Sequence, residues 1–487
     1  MLLIRLAAVS IALATTATAF ADASAPAPEV KKFIAYDDAV IALTHVRVID
    51  GSGAPAQAER TIVVRNGKIE SIGEAAPPAG ARVIDLAGRS AMPGLVGMHN
   101  HVMYTASINL DEDGKMPPPG FLVTELAFSA PRLYLASGVT TMRTTGSIEP
   151  YTDLNIRRLI DAMKMPGPHI DVTGPYLEGK DSFIPQLAVL TTPEQATKTV
   201  AFWAGEGATS FKAYMNIAAP VLGAAIKEAH RHGLKLTGHL CSVDWHEAIA
   251  LGIDNLEHGP IYTDTEFVAD KKKDLCPSDT GPLSWEKRDL ASAPVQALIA
   301  DLVKHHVAVT STLPVFGASI ATRPLLSPRQ ARMLSAESLR SYLAARARAG
   351  TRAGGAEKAE ALFKKEMAFE LAFVRAGGLL LAGPDPTGIG GVLPGFGDQR
   401  EVELLVEAGF TPLEAIHIAT ANGAQFENRL DRIGTLAPGK NADIVIVKGD
   451  PSQRIADVEN VELVFKDGIA YDPTKLIESV RGMVGIR

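Results

Sequence analysis

The sequence predicts an α/β fold, a (β/α)8 TIM barrel joined to a β-sandwich domain that both ends of the chain build together. Eight strand-like runs alternate with helix-like runs in the middle of the chain, as parallel βα units do. Short alternating strands with tight turns occur at both ends. Residue types that bind metals stand where several central strands end. With 487 residues, the chain is long enough for a barrel and one further domain.

The chain begins with a segment typical of an export signal. Residues 1–5 supply a basic start, residues 6–14 form an apolar run too short to span a bilayer, and Ala19-Phe20-Ala21 fits a cleavage site. We therefore expect residues 1–21 to be a signal peptide and the mature protein to be periplasmic or secreted. No cysteine follows the cleavage site, so we expect no lipid anchor.

A β-rich domain is predicted from both ends of the chain. Residues 22–38, which include the Ala/Pro-rich stretch 23–28, are predicted to be a flexible leader. Two of the predicted strands that follow are joined by Asn66-Gly67, which is a strong hairpin-turn signal. The predicted strands of the two ends are residues 42–49, 61–65, 68–72, 443–447 and 461–465. We expect residues 39–90 and 429–487 to form one composite domain.

Residues 91–428 are predicted to form the metal-binding barrel. Its eight candidate strands are the run ending at residue 101 and residues 139–143, 169–173, 209–214, 234–239, 255–258, 307–312 and 379–383. Two stretches interrupt the alternation, residues 262–295 and residues 322–375. We expect both to present solvated faces, with a partner surface as the alternative. The active site of such a barrel lies at the carboxyl ends of its strands.

Composition limits the classes of partner. The chain is 46% hydrophobic and 21% charged, its net charge is −7 and its pI is about 6.0, so we expect no nucleic-acid partner. We also expect no membrane anchor, because no run beyond the signal could form a transmembrane helix. The sequence leaves open whether the chain forms a homo-oligomer. It also leaves open whether Cys241 and Cys276, its two cysteines, form a disulfide.

Metal-ligating residue types follow several of the candidate strands. His99 and His101 end the first strand two residues apart, so both imidazoles can reach one point. On its own, this pair of histidines is as compatible with a structural or incidental arrangement as with a metal site. The further strand-end residues that favour a metal site are Lys212, His239, His258 and Asp385. This set predicts a site for two divalent transition metals, with zinc the first choice.

Lys212 is the unusual member of this set, because an ammonium group only donates hydrogen bonds and repels cations. Carbon dioxide can add to the neutral amine, and the resulting carbamate could bridge two metals. The alternative is an unmodified lysine beside the site. Tyr214 faces the same barrel mouth and either binds a substrate oxygen or packs. Arg143, at the end of the second strand, is a candidate partner for a substrate carboxylate. Glu257 is predicted to point away from the ligands and to pack in the barrel or form a salt bridge.

These residues lie in motifs that resemble the metal-dependent amidohydrolase superfamily, within it the imidazolonepropionase-like and peptidase-like members. The resembling motifs are residues 93–101, 138–141, 211–212, 238–239, 256–259, 382–385 and 434–443, and the resemblance extends over residues 39–473. It implies that His99 and His101 bind the more buried metal. It implies that His239 and His258 bind the more exposed one, that carbamylated Lys212 bridges the two, and that Asp385 ligates the first metal.

The resemblance also implies an activity. We expect hydrolysis of a C–N amide bond in a dipeptide, an N-acyl amino acid or a similar small amide. Hydroxide shared by the two metals would attack, with Asp385 as general base and then general acid. Alternatives are a lactone, a cyclic amide or a carbamate as substrate, or a non-catalytic scaffold. Two positions depart from the family pattern, Gly97 and Pro384, and we expect Pro384 to shift the backbone of Asp385 slightly.

Overall fold

The structure, a computed structural model, describes residues 25–104, 123–277, 284–350 and 355–486. The predicted signal peptide, residues 1–21, lies outside these described residues. The strands are β1 (Ile34–Tyr36), β2 (Val40–Val48), β3 (Gln57–Arg65), β4 (Lys68–Gly73), β5 (Arg82–Asp85), β6 (Arg89–Pro93), β7 (Leu95–Asn100), β8 (Met103–Tyr104), β9 (Thr124–Glu125), β10 (Val139–Thr144), β11 (His169–Val172), β12 (Leu177–Glu178), β13 (Ala188–Val189), β14 (Ser210–Ala213), β15 (Lys235–Gly238), β16 (Asn255–Glu257), β17 (Ala308–Ser311), β18 (Leu380–Ala382), β19 (Ile444–Lys448), β20 (Val461–Lys466) and β21 (Ile469–Tyr471).

The helices are α1 (Pro28–Lys31), α2 (Ser129–Ala136), α3 (Pro150–Asp161), α4 (Pro193–Glu206), α5 (Ala219–Arg231), α6 (Trp245–Leu251), α7 (Pro260–Thr263), α8 (Ala293–Lys304), α9 (Leu313–Gly317), α10 (Pro328–Ala331), α11 (Ala336–Gly350), α12 (Gly355–Arg375), α13 (Phe396–Glu407), α14 (Pro412–His417), α15 (Gly423–Phe426) and α16 (Pro473–Glu478). A π-helical segment, Ile418–Asn422, joins α14 to α15, and a 3-10 helix covers Ile455–Glu459. None of the described helices is long and apolar enough to cross a membrane.

Strands from both ends of the chain share one nine-stranded sheet. Its order is β1-β21-β20-β19-β6-β2-β3-β4, with β5 paired to β2. The two ends meet where β6 pairs antiparallel with β19. At the predicted hairpin turn, Asn66 and Gly67 have φ angles of +48° and +79°, which this type of turn requires. Apolar side chains of both ends, including Ile41, Ile444 and Phe465, form a common buried cluster.

The predicted flexible leader over residues 22–38 is part of the fold from residue 28 onwards. Strand β1 pairs with β21, and the side chains of Val30 and Phe33 are buried against Tyr471 and Leu476. The Ala/Pro composition at the start of this segment concealed these two apolar side chains. Burial of a large apolar side chain contributes about 1.5–3 kcal/mol, which is enough to fix such a short segment.

All eight strands predicted for the middle of the chain are present and parallel. β7, β10 and β11 form one sheet, and β14 to β18 lie in a seven-stranded sheet with β12 and β13. A bridge between Thr173 and Ser210 joins the two sheets. At the other end, the Asp385 amide donates to the His99 carbonyl at 3.0 Å. The carboxyl ends of the eight strands therefore face one side of the domain.

The two stretches that interrupt the alternation do more than present solvated faces. Within residues 322–375, helix α12 buries Phe363, Phe369 and Phe373. Within residues 262–295, Trp285 is fully buried, and its ring centroid lies 6.1 Å from that of Phe369. Charged residues on the outer faces of both stretches obscured these apolar positions.

Cys241 and Cys276 form a disulfide, the pairing that the sequence left open, with their Cα atoms 4.9 Å apart. The bond ties the segment after β15 to the segment after α7. Cross-linking two positions 35 residues apart in sequence restricts the unfolded chain.

Replacing Cys276 by serine is expected to lower the free energy of unfolding by roughly 2–4 kcal/mol, because the unfolded chain regains the entropy of that loop. Urea denaturation of the variant, beside wild-type protein with and without reductant, measures the effect. Reductant should bring the wild type to the stability of the variant and leave the variant unchanged. Equal stability of the oxidised wild type and the variant would contradict this expectation.

Four buried carboxyl groups lie behind β17 and β18. Asp398 and Glu401 are on α13, Glu366 and Glu370 are on α12, and each residue is 5% exposed or less. The Ser311 hydroxyl donates to Glu370 at 2.9 Å. Burial raises the pKa of Asp398 to about 7 and that of Glu401 to about 8, and it also raises the pKa values of Glu366 and Glu370. Near neutral pH, these groups therefore hold protons that the unfolded chain would release.

We expect stability to fall as pH rises from about 6.5 to 7.5, because these carboxyl groups then hold protons in the folded state that the unfolded state has released, while the buried histidines are mostly neutral in both states. The contribution of these groups is complete below the unfolded pKa of about 4 and is lost as pH passes their raised folded pKa values. Thermal unfolding across this range checks the slope. Glu401→Gln should flatten it, whereas Glu337→Gln, at an exposed site on α11, should not. A wild-type Tm that stays level or rises would contradict the expectation.

Candidate metal centre and substrate pocket

The predicted pair of histidines ends β7, with both side chains buried. Nδ1 of His99 lies 2.8 Å from Glu257 Oε2, and Nδ1 of His101 lies 3.2 Å from the Gly146 carbonyl oxygen. These acceptors place the ring protons on the Nδ1 atoms. The Nε2 atoms then face Asp385, at 3.8 Å from Oδ2 for His99 and 3.4 Å from Oδ1 for His101. Partners on the far nitrogen orient metal-binding histidines in this way.

Asp385 follows β18 in a left-handed backbone conformation, with φ of +49°. Its carboxylate accepts a hydrogen bond of 2.8 Å from the Thr387 hydroxyl. The preceding Pro384 does not carry Asp385 away from the histidines. Gly383 allows the close approach of β18 to β7, because a Cβ atom there would lie 2.3 Å from the His99 nitrogen. The left-handed backbone conformation of Asp385 is uncommon for residues other than glycine, and such conformations occur frequently at functional sites.

His258 and His239 complete the group of imidazoles. Their ring centroids are 4.5 Å apart, and that of His258 is 4.4 Å from that of His99. The His258 backbone is also left-handed, with φ of +72°, and its Nδ1 lies 2.8 Å from the Thr312 hydroxyl. One ligating atom from each of His99, His258 and Asp385 lies within 4.8 Å of the other two. Nitrogen and carboxylate donors at this spacing fit a divalent transition metal.

Lys212 lies in the same group, fully buried, with Nζ 3.1 Å from His99 Nε2. The ammonium stands over the rings of Tyr176 and Tyr214, at 5.2 Å and 5.8 Å from their centroids. Burial lowers the pKa of Lys212 to about 8. The neutral amine, which is the form that reacts with carbon dioxide, is therefore far more populated near neutral pH than in an exposed lysine. The structure thus brings all six predicted residues together.

The electrostatic environment keeps the imidazoles neutral, the form in which they bind metals. Burial lowers the pKa of His99 to about 4 and that of His239 to about 3, and the pKa values of His101 and His258 are also lowered. Burial alone would raise the pKa of Asp385, but its interactions with His99, His101 and His258 hold it well below its usual value. Asp385 is therefore a carboxylate at neutral pH.

Arg143 does not have the substrate-binding position predicted for it. Its guanidinium is buried below the pocket, donates to the Met98 carbonyl at 2.9 and 2.6 Å, and lies 3.0 Å from Glu257 Oε1. Glu257, predicted to point away from the ligands, therefore joins Arg143 to His99. The salt-bridge role predicted for Glu257 is confirmed, since a carboxylate inside a buried strand needs a cationic partner and Arg143 supplies it.

Gly97, where the family often has an acidic residue, has no space for a side chain here. A Cβ atom would lie 1.9 Å from Asn100 Nδ2 and 2.7 Å from Asp398 Oδ1. Asn100 donates to Asp398 at 2.9 Å. The carboxyl group of Asp398, on α13, therefore lies beside β7 in this chain.

A cavity of about 360 Å³ opens beside the group of six. Lys212, His239, His258 and Asp385 line it, and Tyr214 does so as predicted from its spacing to Lys212. Sequence reasoning missed Tyr176, whose hydroxyl lies 3.5 Å from His101 Nε2. No motif surrounds Tyr176, which reaches the site from the segment between β11 and β12.

Comparison with known sequences gives matches to short parts of the chain. The sequence model of the amidohydrolase family matches residues 396–470. Adenine deaminase 2 of Jannaschia sp. (strain CCS1) is 38% identical over 81 residues, which are 16% of this chain. The matched segment spans 13% of the length of that curated relative.

Comparison with solved structures gives matches over nearly the whole chain. A candidate prolidase from Bifidobacterium longum has a TM-score of 0.63 and 23% identity, covering 91% of this chain and 98% of its own. Bottromycin amidohydrolase has a TM-score of 0.65 and 21% identity, covering 91% of each chain. Similarities at these identities establish a common fold.

Proposed function

We propose that the chain is a member of the metal-dependent amidohydrolase superfamily and that it hydrolyses small amides. The observation that carries this proposal is the convergence of four imidazoles, one lysine and one carboxylate beside a single cavity. In the same proposal, β7, β10, β11 and β14 to β18 form a (β/α)8 barrel, and the nine-stranded sheet is its β-sandwich domain.

The donor set supports two metal positions. His99, His101 and Asp385 would hold one divalent ion, His239 and His258 would hold the other, and carbamylated Lys212 would bridge them. Zinc fits these nitrogen and oxygen donors. Ions bound there would polarise the substrate carbonyl and lower the pKa of a bound water towards neutrality.

The chain itself supplies proton transfer and orientation. Asp385, ionised at neutral pH, would take the proton of the attacking water and deliver it to the leaving nitrogen. Glu257 keeps the His99 ring in place through its 2.8 Å contact with Nδ1. The Tyr176 hydroxyl, buried at the edge of the cavity, is placed to donate to the substrate oxygen as negative charge develops on it.

We further propose that the protein acts outside the cytoplasm. Residues 1–21 have the composition of a signal peptide, and the Cys241–Cys276 disulfide suits an oxidising compartment. Cell fractionation tests this directly: the protein should appear in the periplasm or medium without residues 1–21, and an uncleaved cytoplasmic protein would overturn the proposal.

The activity is tested with zinc-loaded mature protein and a panel of dipeptides, N-acyl amino acids and neutral amides, together with lactones and carbamates. We expect release of amine from at least one amide and loss of that release when the metal is removed by chelation. Turnover of lactones or carbamates alone would reject the amide specificity. A purified protein that binds no divalent metal would reject the enzyme proposal altogether.

A further inference from the structure

The substrate pocket has polar groups at one end and apolar walls around the remainder. Lys212, His239, His258 and Asp385 occupy the polar end. The remaining lining comes largely from apolar side chains, which form two separate walls. Walls of this kind contribute to binding only when the substrate presents apolar surface to them.

The first wall is formed by the segments that follow β7, β10 and β12. Met103, Ile148 and Ile184 are each buried, and they belong to a hydrophobic cluster separate from the barrel core. The Gln186 side chain fixes this wall, since it accepts from the Val123 amide at 2.7 Å and donates to the Val123 carbonyl at 3.1 Å. The wall is thus held in shape before any substrate binds.

Phe183 stands on this first wall with half of its surface in water, at 50% exposure. An exposed phenyl ring that lines a cavity offers apolar surface for a ligand to cover. On an apolar substrate, that contact would remove water from both partners.

The second wall is formed by Val315 and Phe316 on α9, which follows β17. The Phe316 ring stacks on Tyr262, with centroids 3.6 Å apart and an interplanar angle of 5°. Its edge approaches His258, with centroids 6.0 Å apart. An aromatic wall therefore lies directly beside the polar end of the pocket.

The charged residues that line the cavity restrict the charge of the substrate, independently of the apolar walls. Among the described residues that line the cavity, Lys212 is the single lysine or arginine, and it lies within the proposed metal group. The Arg143 guanidinium donates hydrogen bonds to Glu257 and to the Met98 carbonyl below the pocket. A substrate carboxylate placed against either apolar wall would lose its hydration without gaining a partner.

We propose that this pocket selects uncharged amides with an apolar or aromatic group on each side of the scissile bond, one group for each wall. This inference rests on the proposed amide hydrolysis and defines its substrate class. It departs from a dipeptide or free N-acyl amino acid, because both carry a carboxylate. Phe183 and Phe316 are the specificity-determining side chains.

The test compares phenylacetyl p-nitroanilide with succinyl p-nitroanilide, two chromogenic amides that share a leaving group. We expect kcat/KM to favour the phenylacetyl compound by at least about tenfold, the effect of a matched hydrophobic pocket. Phe183→Ala should reduce that ratio roughly threefold or more. Phe202→Ala, which removes a phenyl ring of 52% exposure on α4 outside the pocket, should leave the ratio unchanged.

A binding measurement separates failure of this inference from failure of the proposed function. Calorimetry of neutral phenylacetanilide with Asp385→Asn protein should give binding that weakens in the Phe183→Ala/Asp385→Asn double variant. Binding of this kind without wild-type turnover of either anilide would overturn the hydrolase proposal and support the apolar pocket. Equal turnover of the two anilides would overturn the apolar pocket and support the hydrolase.

Discussion

Replacing Asp385 by asparagine is expected to lower kcat for amide hydrolysis by about 10²–10⁴-fold, the range that positioned proton transfer contributes. Asparagine has nearly the same shape and can still accept from Thr387, which donates to Asp385 at 2.8 Å. It cannot take a proton from water or return one to a leaving nitrogen. The measurement is amine release under saturating substrate, with metal content determined on the same samples.

A matched exposed variant identifies the cause of that loss. Asp431→Asn changes the same functional group on a side chain that is 74% exposed, so it should retain wild-type kcat. If Asp385→Asn retains its metal and folds normally yet hydrolyses amides within tenfold of the wild-type rate, Asp385 is not the proton carrier. If it loses both metal and activity, its role as a ligand accounts for the defect.

Replacing Arg143 by methionine is expected to lower the free energy of unfolding by about 3–5 kcal/mol. Its ion pair with Glu257 joins side chains of 1% and 0% exposure, and the variant would leave the Glu257 charge buried without its cation. Glu257 also contacts His99, so the defect should extend to the site and reduce metal affinity. Urea denaturation and metal titration measure the two effects.

A double variant separates charge from packing in this ion pair. Arg143→Met/Glu257→Met removes both charges, so it should recover part of the stability lost in the single variant while metal affinity stays reduced. Arg432→Met, at a side chain that is 58% exposed, serves as the control for loss of an arginine. A loss below 1 kcal/mol in Arg143→Met would contradict a structural role for the pair.

The eight parallel strands and the convergence of the six candidate residues could be predicted because both depend on local pattern. Each βα unit repeats the same alternation, and each candidate residue stands where an apolar run ends, as His99 and His258 do. Parallel strands bring such positions to one end of a barrel whatever the loops contain. A correct prediction of the strands therefore also predicts which side chains lie close together.

Residues whose roles depend on distant partners could not be predicted in this way. Arg143 and Glu257 lie 114 positions apart, and neither sequence neighbourhood indicates the other. Tyr176 reaches His101 from a segment without a motif. Val30 and Phe33 are two apolar residues in a short stretch, too few to show periodicity before Tyr471 and Leu476 are known to cover them.

The most direct test of the account is a zinc titration of metal-free protein during hydrolysis of a neutral amide. We predict that metal-free protein is inactive, that activity rises with added zinc, and that it levels off near two ions per chain. Asp385→Asn should bind zinc without gaining activity. Amide hydrolysis at full rate by metal-free protein, or none by protein that holds two ions, would contradict the proposal that these six side chains form a hydrolytic metal centre.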